Sequence, residues 1–302
     1  MLSNFFLKII DKKKYQEKKN KIRSNDNLNF YNIHIKKRIE KFSNVIKEKN
    51  ELNFLHSGHL GDLIYSLPLI KELSKTKKCN FYIEINKKNT VEYHKHPSGN
   101  VFINKKTFDL LLPLIEAQQY INDVKIFEKE KTKIDIDLNF FREMPFNIIF
   151  HSMRWYSHLT GIPINMEEKF LETNLIDDFR DKISIMRSPR YRNEYINYKF
   201  LSSAKNLVFL GLYEEFKDLK EEIKNLEFHN CKDFLEMAMI INSSRFFIGN
   251  LCFAYSVAEG LKKPRLLETC PNFPVVFPIG KNAYDFYHQL HFEKYFDILN
   301  SR

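Results

Sequence analysis

Residues able to do chemistry cluster at a few places in this chain. The first is His56-Ser57-Gly58-His59-Leu60-Gly61-Asp62, directly after the apolar run Asn53-Phe54-Leu55. Two glycines at a strand-to-helix turn let backbone come close to a ligand. Asp62 falls at or near the start of the following helix, where the helix dipole favours its ionised form. On spacing alone, an N-cap aspartate explains it as well. The second place is Arg187-Ser188-Pro189-Arg190-Tyr191-Arg192. Arginine forks suit diphosphate oxygens and an aromatic neighbour can stack on a ligand; an exposed, solvated linker is the plainer reading. The third is Asp135-Ile136-Asp137. A D-x-D pair can hold a divalent cation against a diphosphate, but this one lies inside an alternating strand pattern, which favours a strand-edge role.

Other candidates are single residues. Cys252 precedes a predicted helix, where a thiol can have a lowered pKa; no base is paired with it, so a small packing residue is preferred. Glu214 and Glu215 follow the strand ending at Gly211 and could accept a ribose hydroxyl, or simply form an acidic first helical turn. Glu259 interrupts a small-apolar helix, facing a ligand or pairing with a lysine. His94, His96, His151, His158, His288 and His291 show no metal-ligand spacing, so neither a metal nor a cofactor is expected. His151 and His158 border a cleft or lie on the surface.

The elements that would position these residues alternate. Residues 53–55 read as a strand, 62–75 as a helix with Pro68 kinking it or marking a restart, and 79–85 as a strand. A polar excursion covers 87–105. A helix over 107–119, strands over 123–127 and 134–139 and a helix over 151–160 follow. The mixed, charged stretch 161–200 reads as a connection between domains. A second alternation then runs through strands at 207–211, 245–249 and 265–267 and helices at 214–225, 232–243 and 253–262. A last, strongly aromatic helix covers 282–299. Two βαβ series predict two parallel sheets covered by helices, with ligands at the carboxyl ends of the strands.

Composition sets the frame. The 302 residues suit two domains, and 43% hydrophobic with 28% charged residues is globular rather than disordered. No apolar run approaches the roughly 20 residues of a membrane span, and the opening Met1–Ile10 does not read as a secretory leader. Four scattered cysteines exclude a disulfide scaffold and fit a cytoplasmic protein. Charge is uneven: residues 1–50 hold 14 Lys/Arg against 5 Asp/Glu, a net of +9, which leaves +1 of the total +10 for the rest. Such an arm attracts anionic lipid at about 1 kcal/mol per basic residue, and Phe5, Phe6, Leu7, Ile9 and Ile10 would add shallow apolar insertion. A lysine-rich compositional bias explains it too. Nucleic acid ranks below lipid, because the arm carries no recognised nucleic-acid module.

Gly61-Asp62-Leu63-Ile64-Tyr65-Ser66-Leu67-Pro68 resembles the G-D-x-x-x-x-x-P turn of the heptosyltransferase-like glycosyltransferases, glycosyltransferase family nine. Phe247-Ile248-Gly249-Asn250, continuing through Ala258 and Leu261 to Pro264, is similar to that family's nucleotide-sugar segment. Asn206-Leu207-Val208-Phe209-Leu210-Gly211 resembles the strand opening its second domain. The resemblance spans most of 51–280. It implies the α/β GT-B architecture, with two Rossmann-like parallel-sheet domains facing each other across a cleft. The expected divisions are a basic arm over 1–50, an acceptor-side domain over 51–175, a nucleotide-sugar domain over 176–281, and a C-terminal helix over 282–302 packing back on the first domain.

The resemblance further implies metal-independent transfer of a heptose or related sugar from a nucleotide-diphosphate donor to a glycan or lipid-linked acceptor. Asp62 would be the general base, with acceptor contacts at Gly58, His59 and Gly61. Donor contacts would fall on Arg187 and Arg192, and on Gly211, Glu214, Gly249, Asn250, Cys252 and Ser256. The protein would be cytoplasmic, peripheral at the inner membrane face through residues 1–50. The sequence departs from the family pattern at the donor side. Leu251, Cys252 and Phe253 replace the usual Asp-Ser-Gly, and Ser256 replaces a His. Two alternatives follow: a nucleotide-sugar-binding protein with impaired turnover, and an anionic-polymer binder acting through its arm.

Overall fold

A computed structural model describes residues 7–89, 98–143, 151–273 and 275–302. Phe5 and Phe6 of the arm, and His94 and His96 of the predicted excursion, lie outside these residues. The chain divides into two compact units: Met1–Glu48 with Leu159–Gly161, and Lys49–His158 with Ile162–Arg302.

The smaller unit is the basic arm. Asp11 accepts a hydrogen bond from the Lys14 amide at 3.0 Å and caps α1 (Lys12–Phe30). A π-helical stretch, Tyr31–Lys36, leads into α2 (Lys37–Glu48). Helix α1 has no apolar stripe and buries no residue; α2 buries Phe42. Ile9, Ile10, Ile22, Leu28 and Ile33 stand exposed among the lysines.

The larger unit holds two sheets. The first comprises β1 (Glu51–His56), β2 (Lys78–Ile83), β3 (Asp123–Ile126) and β4 (Ile136–Asp137), in the order β3-β2-β1-β4 and all parallel. Phe54 of β1 lies opposite Phe81 on one side and Ile136 on the other, so the strand leading to Asp62 is central. Helix α3 (Leu60–Ser74) joins β1 to β2, and α4 (Lys105–Glu116) joins β2 to β3. Helix α3 runs through Pro68 as one element, so of the two expectations, kink or restart, the restart is not seen. A proline inside a helix costs about 3 kcal/mol, but Leu63 to Ile70 are all buried, and that packing holds the helix together.

The second sheet comprises β5 (Ile183–Met186), β6 (Leu207–Phe209), β7 (Glu227–Phe228), β8 (Phe246–Asn250), β9 (Arg265–Glu268) and β10 (Ala283–Phe286), all parallel. Its order is β10-β9-β8-β5-β6-β7. Counted from the domain's own first strand this is 3-2-1-4-5-6, the doubly wound nucleotide-binding order. Its helices are α6 (Tyr213–Glu222), α7 (Phe234–Ser243) and α8 (Phe253–Gly260). A further helix, α5 (Ser152–Thr160), precedes this domain.

Three expectations are corrected here. The stretch 161–200 is not only a connection, since it contains β5, the central strand of the second sheet. Residues 283–286 form edge strand β10, and the last helix, α9, begins at Gln289 and ends at Asn300. Nor does α9 return to the first domain. Phe292, Phe296 and Leu299 share the second sheet's core with Phe246, Ile248, Leu266 and Phe286, and Phe292 stacks on Phe286 with centroids 4.1 Å apart. The short link from β10 folds the helix onto its own sheet. Contact between the two domains comes from α3 beside α8 and α4 beside α7.

Candidate active site

Each sheet has one place where its strand order reverses: between β1 and β4, and between β5 and β8. Ligands of doubly wound sheets bind there, at the carboxyl ends of the strands. Both crevices are closed by an asparagine. The Ser57 amide, after β1, donates to Asn139 Oδ1 at 2.9 Å. The Ser188 amide, after β5, donates to Asn250 Oδ1 at 3.0 Å, and Asn250 Nδ2 donates back to the Ser188 carbonyl at 2.8 Å. Asn250 is therefore a buried stitch between strands.

Asp62 stands at the first crevice. It is not the N-cap of α3, a position taken by His59 in extended conformation; Asp62 lies in the first turn, where the dipole favours a carboxylate. Its side chain is 26% exposed and pairs through Oδ2 with Arg142 of the 3-10 helix Leu138–Glu143. Burial pushes its carboxyl above the usual aspartate range; the charge and hydrogen bond of Arg142, and the charge of Arg190, pull in the opposite direction. A carboxylate raised toward neutral pH is suited to accepting a proton.

The surrounding groups form one network. His56 is buried, and burial followed by the charges of Arg142, His59 and Lys87 holds its imidazole well below the usual range. It is neutral: Nδ1 accepts from the Gly58 amide at 3.1 Å, so Nε2–H faces the Tyr156 hydroxyl at 3.3 Å. Tyr156 in turn donates to the Asp62 carbonyl at 3.0 Å. Lys87 donates to Ser57 Oγ at 2.8 Å. His59 packs edge-on to Phe102. Gly61 would place a Cβ 4.0 Å from Ser256 Oγ, an ordinary contact, so space alone does not demand glycine there.

The predicted donor residues are mostly committed to the fold. Arg187 is 5% exposed and grips fully buried Glu268 with Nε at 2.7 Å and Nη2 at 2.9 Å. Arg192 bonds the Ser188 carbonyl and pairs with Asp218. Glu215 accepts from the Leu212 amide at the start of α6, and Glu214 pairs with Lys217 at the surface. Gly211 accommodates the Phe209 ring, and Gly249 accommodates the Phe247 ring and the Met186 carbonyl. Ser256 is buried and donates to the Phe253 carbonyl at 2.6 Å. Cys252 caps α8, and burial pushes its thiol up to about 12, which removes the activated-thiolate reading. Arg190, between the two expected arginines, is the one of this cluster whose charge acts on Asp62 and on Cys252, while Glu215 feels Arg192 first and Arg190 after it.

The remaining candidates resolve plainly. Asp135 accepts from the Asn53 amide at 3.0 Å and pairs with Lys49, while Asp137 accepts from the Asn139 amide at 2.9 Å. Among the described residues, no three His, Cys, Asp or Glu side chains are grouped to hold a metal. Glu259 is buried against Arg265 and Lys262, the ion-pair reading. His151 is buried, bonding the Phe277 carbonyl at 2.9 Å, and His158 is exposed.

No protein-family model matches the sequence, and no curated protein matches it. Solved structures do. The glycosyl transferase family 9 protein of Veillonella parvula superposes with a TM-score of 0.52 over 83% of this chain and 89% of that one, at 12% identity. The E. coli ADP-heptose lipopolysaccharide heptosyltransferase II gives 0.54 over 82% of this chain and 98% of that one, at 10% identity. The chain has the fold of the heptosyltransferase-like glycosyltransferases: GT-B, built from two parallel-sheet α/β domains.

Proposed function

We propose that the chain is a glycosyltransferase that moves a sugar from a nucleotide-diphosphate donor to a hydroxyl of a glycan or lipid-linked acceptor, with Asp62 as general base. The observation that carries this is the placement of Asp62. A partly exposed carboxylate stands at the strand-order reversal of the first sheet and feels Arg190 from the second domain. The acceptor oxygen attacks the anomeric carbon, its proton passes to Asp62, and the bond to the nucleotide phosphate breaks with its electron pair leaving on the diphosphate. Arg190 and the N-terminus of α8 would carry the charge that develops there. Transfer without a divalent cation is part of this proposal, as the resemblance implies. Because heptosyltransferase II is named for ADP-heptose, that sugar nucleotide is the first donor to test.

The arm fits an anionic membrane surface at the cytoplasmic face, where lipid-linked acceptors would be met. Its support is the net charge of +9 over residues 1–50 and the exposed Ile9, Ile10, Ile22, Leu28 and Ile33. No helix among the described residues is long and apolar enough to cross a membrane. Sedimentation with phosphatidylglycerol vesicles but not phosphatidylcholine vesicles, weakened by salt, is expected.

One observation favours a second reading. Ser256 stands where the resembled family has a His and donates to the Phe253 carbonyl; a hydroxyl so engaged brings no positive charge to a leaving diphosphate, which points to nucleotide-sugar binding with impaired turnover. A thermal-shift screen against nucleoside diphosphates and nucleotide sugars tests both. A ligand at 100 times its dissociation constant stabilises by about 2.7 kcal/mol. A selective shift followed by sugar transfer supports the enzyme, and a shift without transfer supports the binding protein. No shift with any nucleotide would contradict both and leave the arm as an anionic-polymer binder.

A further inference from the structure

We infer that Arg142 is a positioning residue for Asp62, and that position 58 is glycine because the guanidinium of Arg142 occupies the space a side chain would need. The inference rests on the reading of Asp62 as the base, and its test is arranged so that the two can fail separately.

The geometry at Gly58 is specific. A Cβ there would lie 2.4 Å from Arg142 Nη1, 2.5 Å from Nη2 and 2.7 Å from Cζ. Non-bonded heavy atoms settle at about 3.5–4.0 Å, so a side chain at position 58 requires the guanidinium, the free end of a flexible side chain, to move aside. Backbone conformation does not explain the glycine, because the positive-φ glycines are Gly99, Gly161 and Gly280. Space explains it.

Two rings, the placement of its own helix and a carboxylate orient the Arg142 guanidinium. Its guanidinium carbon lies 4.4 Å from the Phe141 ring centroid and 5.3 Å from that of Phe102, within cation–π range. The 3-10 helix that carries it is tied to the β1–α3 turn by the Ser57–Asn139 hydrogen bond. Its Nη2 donates to Asp62 Oδ2, leaving Oδ1 as the oxygen to receive the acceptor proton. The charged and titratable groups facing Asp62 are Arg142 from this helix, Arg190 after β5, and Tyr156 of α5. Arg142 is the one with both a charge and a hydrogen bond on the carboxyl. Opposite charge at this range favours the ionised form by about 1–3 pH units. Removing Arg142 therefore raises the pH at which Asp62 ionises. Gly58→Ala should do the same from a distance, because a flexible guanidinium yields more readily than backbone.

The test is a carboxyl-carbon NMR titration of the full chain carrying labelled aspartate, with the Asp62 signal assigned by its loss in Asp62→Asn. Arg142→Gln should raise the Asp62 midpoint by about 1 pH unit or more, and Gly58→Ala should raise it in the same direction. The double variant should add little to Arg142→Gln, since both changes act through one guanidinium. Arg142→Lys should restore part of the shift, and thermal melting checks that each variant is folded. An unmoved midpoint in folded Arg142→Gln overturns the inference. A midpoint that moves in Arg142→Gln but not in Gly58→Ala overturns its cradle. Where transfer is measurable, the acid limb of kcat/KM should move with the NMR midpoint. Midpoints that move in a protein transferring no sugar would sustain the Arg142–Asp62 link while the reading of Asp62 as a base fails.

Discussion

Arg187 was expected to hold a donor phosphate, and it sits against Glu268 instead. The consequence can be measured. Glu268 has no exposed surface and takes hydrogen bonds from Arg187, from the Asn193 amide at 2.6 Å and from the Tyr198 hydroxyl at 2.9 Å. The Arg187→Met change leaves a buried carboxylate whose remaining partners are neutral. Breaking a buried pair by removing one member costs about 3–5 kcal/mol. At a urea m-value of about 3 kcal/mol/M, the unfolding midpoint should fall by about 1–1.7 M. Adding Glu268→Gln removes the stranded charge and keeps an acceptor for the Asn193 amide, so the double variant should regain at least about half of the loss. Urea unfolding followed by circular dichroism reads all three proteins. Folded Arg187→Met should bind nucleotide as the wild type does. A variant with an unchanged midpoint and lost nucleotide binding would refute the structural role and return Arg187 to the donor site.

Two further outcomes follow from packing and burial. Gly249→Ala would press a Cβ to 2.8 Å from the Met186 carbonyl, which cannot retreat without disturbing the β5–β8 pairing; chemical denaturation should show a loss of about 1–3 kcal/mol, whereas Gly58→Ala should unfold near wild type. Burial holds the His151 imidazole down at about 4. Its folded pKa is below the unfolded value of about 6.5, so the unfolded chain takes up its proton first as pH falls. Its contribution is complete above about pH 6.5 and is lost towards pH 4, with an upper bound of about 3.4 kcal/mol. His151→Asn should flatten stability against pH in that window, and an unchanged slope would contradict the assignment.

What the sequence revealed, and what it hid, follows physical lines. Strands β1, β2, β6, β8 and β9 are short apolar runs between turn residues, and each was legible as such. Strand β5 was hidden because Ile183-Ser184-Ile185-Met186 is brief and flanked by Lys182 and Arg187, inside a charged stretch. Its burial comes from β6 and β8 on either side, which local pattern does not report. Strand β10 was absorbed into an aromatic run whose alternation, Tyr284-Asp285-Phe286, is only three residues long. The place of Asp62 in the first turn after β1 was legible because turn, glycine and helix start are local. Arg142 was not, since 80 residues separate it from Asp62; the glycine at position 58, in a turn that needs no positive φ, was its one trace. Among Arg187, Arg190 and Arg192, sequence could not say which faces inward. The strand end takes Arg187 into the core, and the turn beginning at Pro189 leaves Arg190 acting on Asp62.

The most direct test of the central claim is the rate of sugar transfer by Asp62→Asn beside wild type, with the donor found in the thermal-shift screen. Asparagine is nearly isosteric and cannot take the proton, so transfer should fall by about 10²–10⁴-fold while nucleotide affinity stays the same. Equal rates in the two proteins would contradict the assignment of Asp62 as the base.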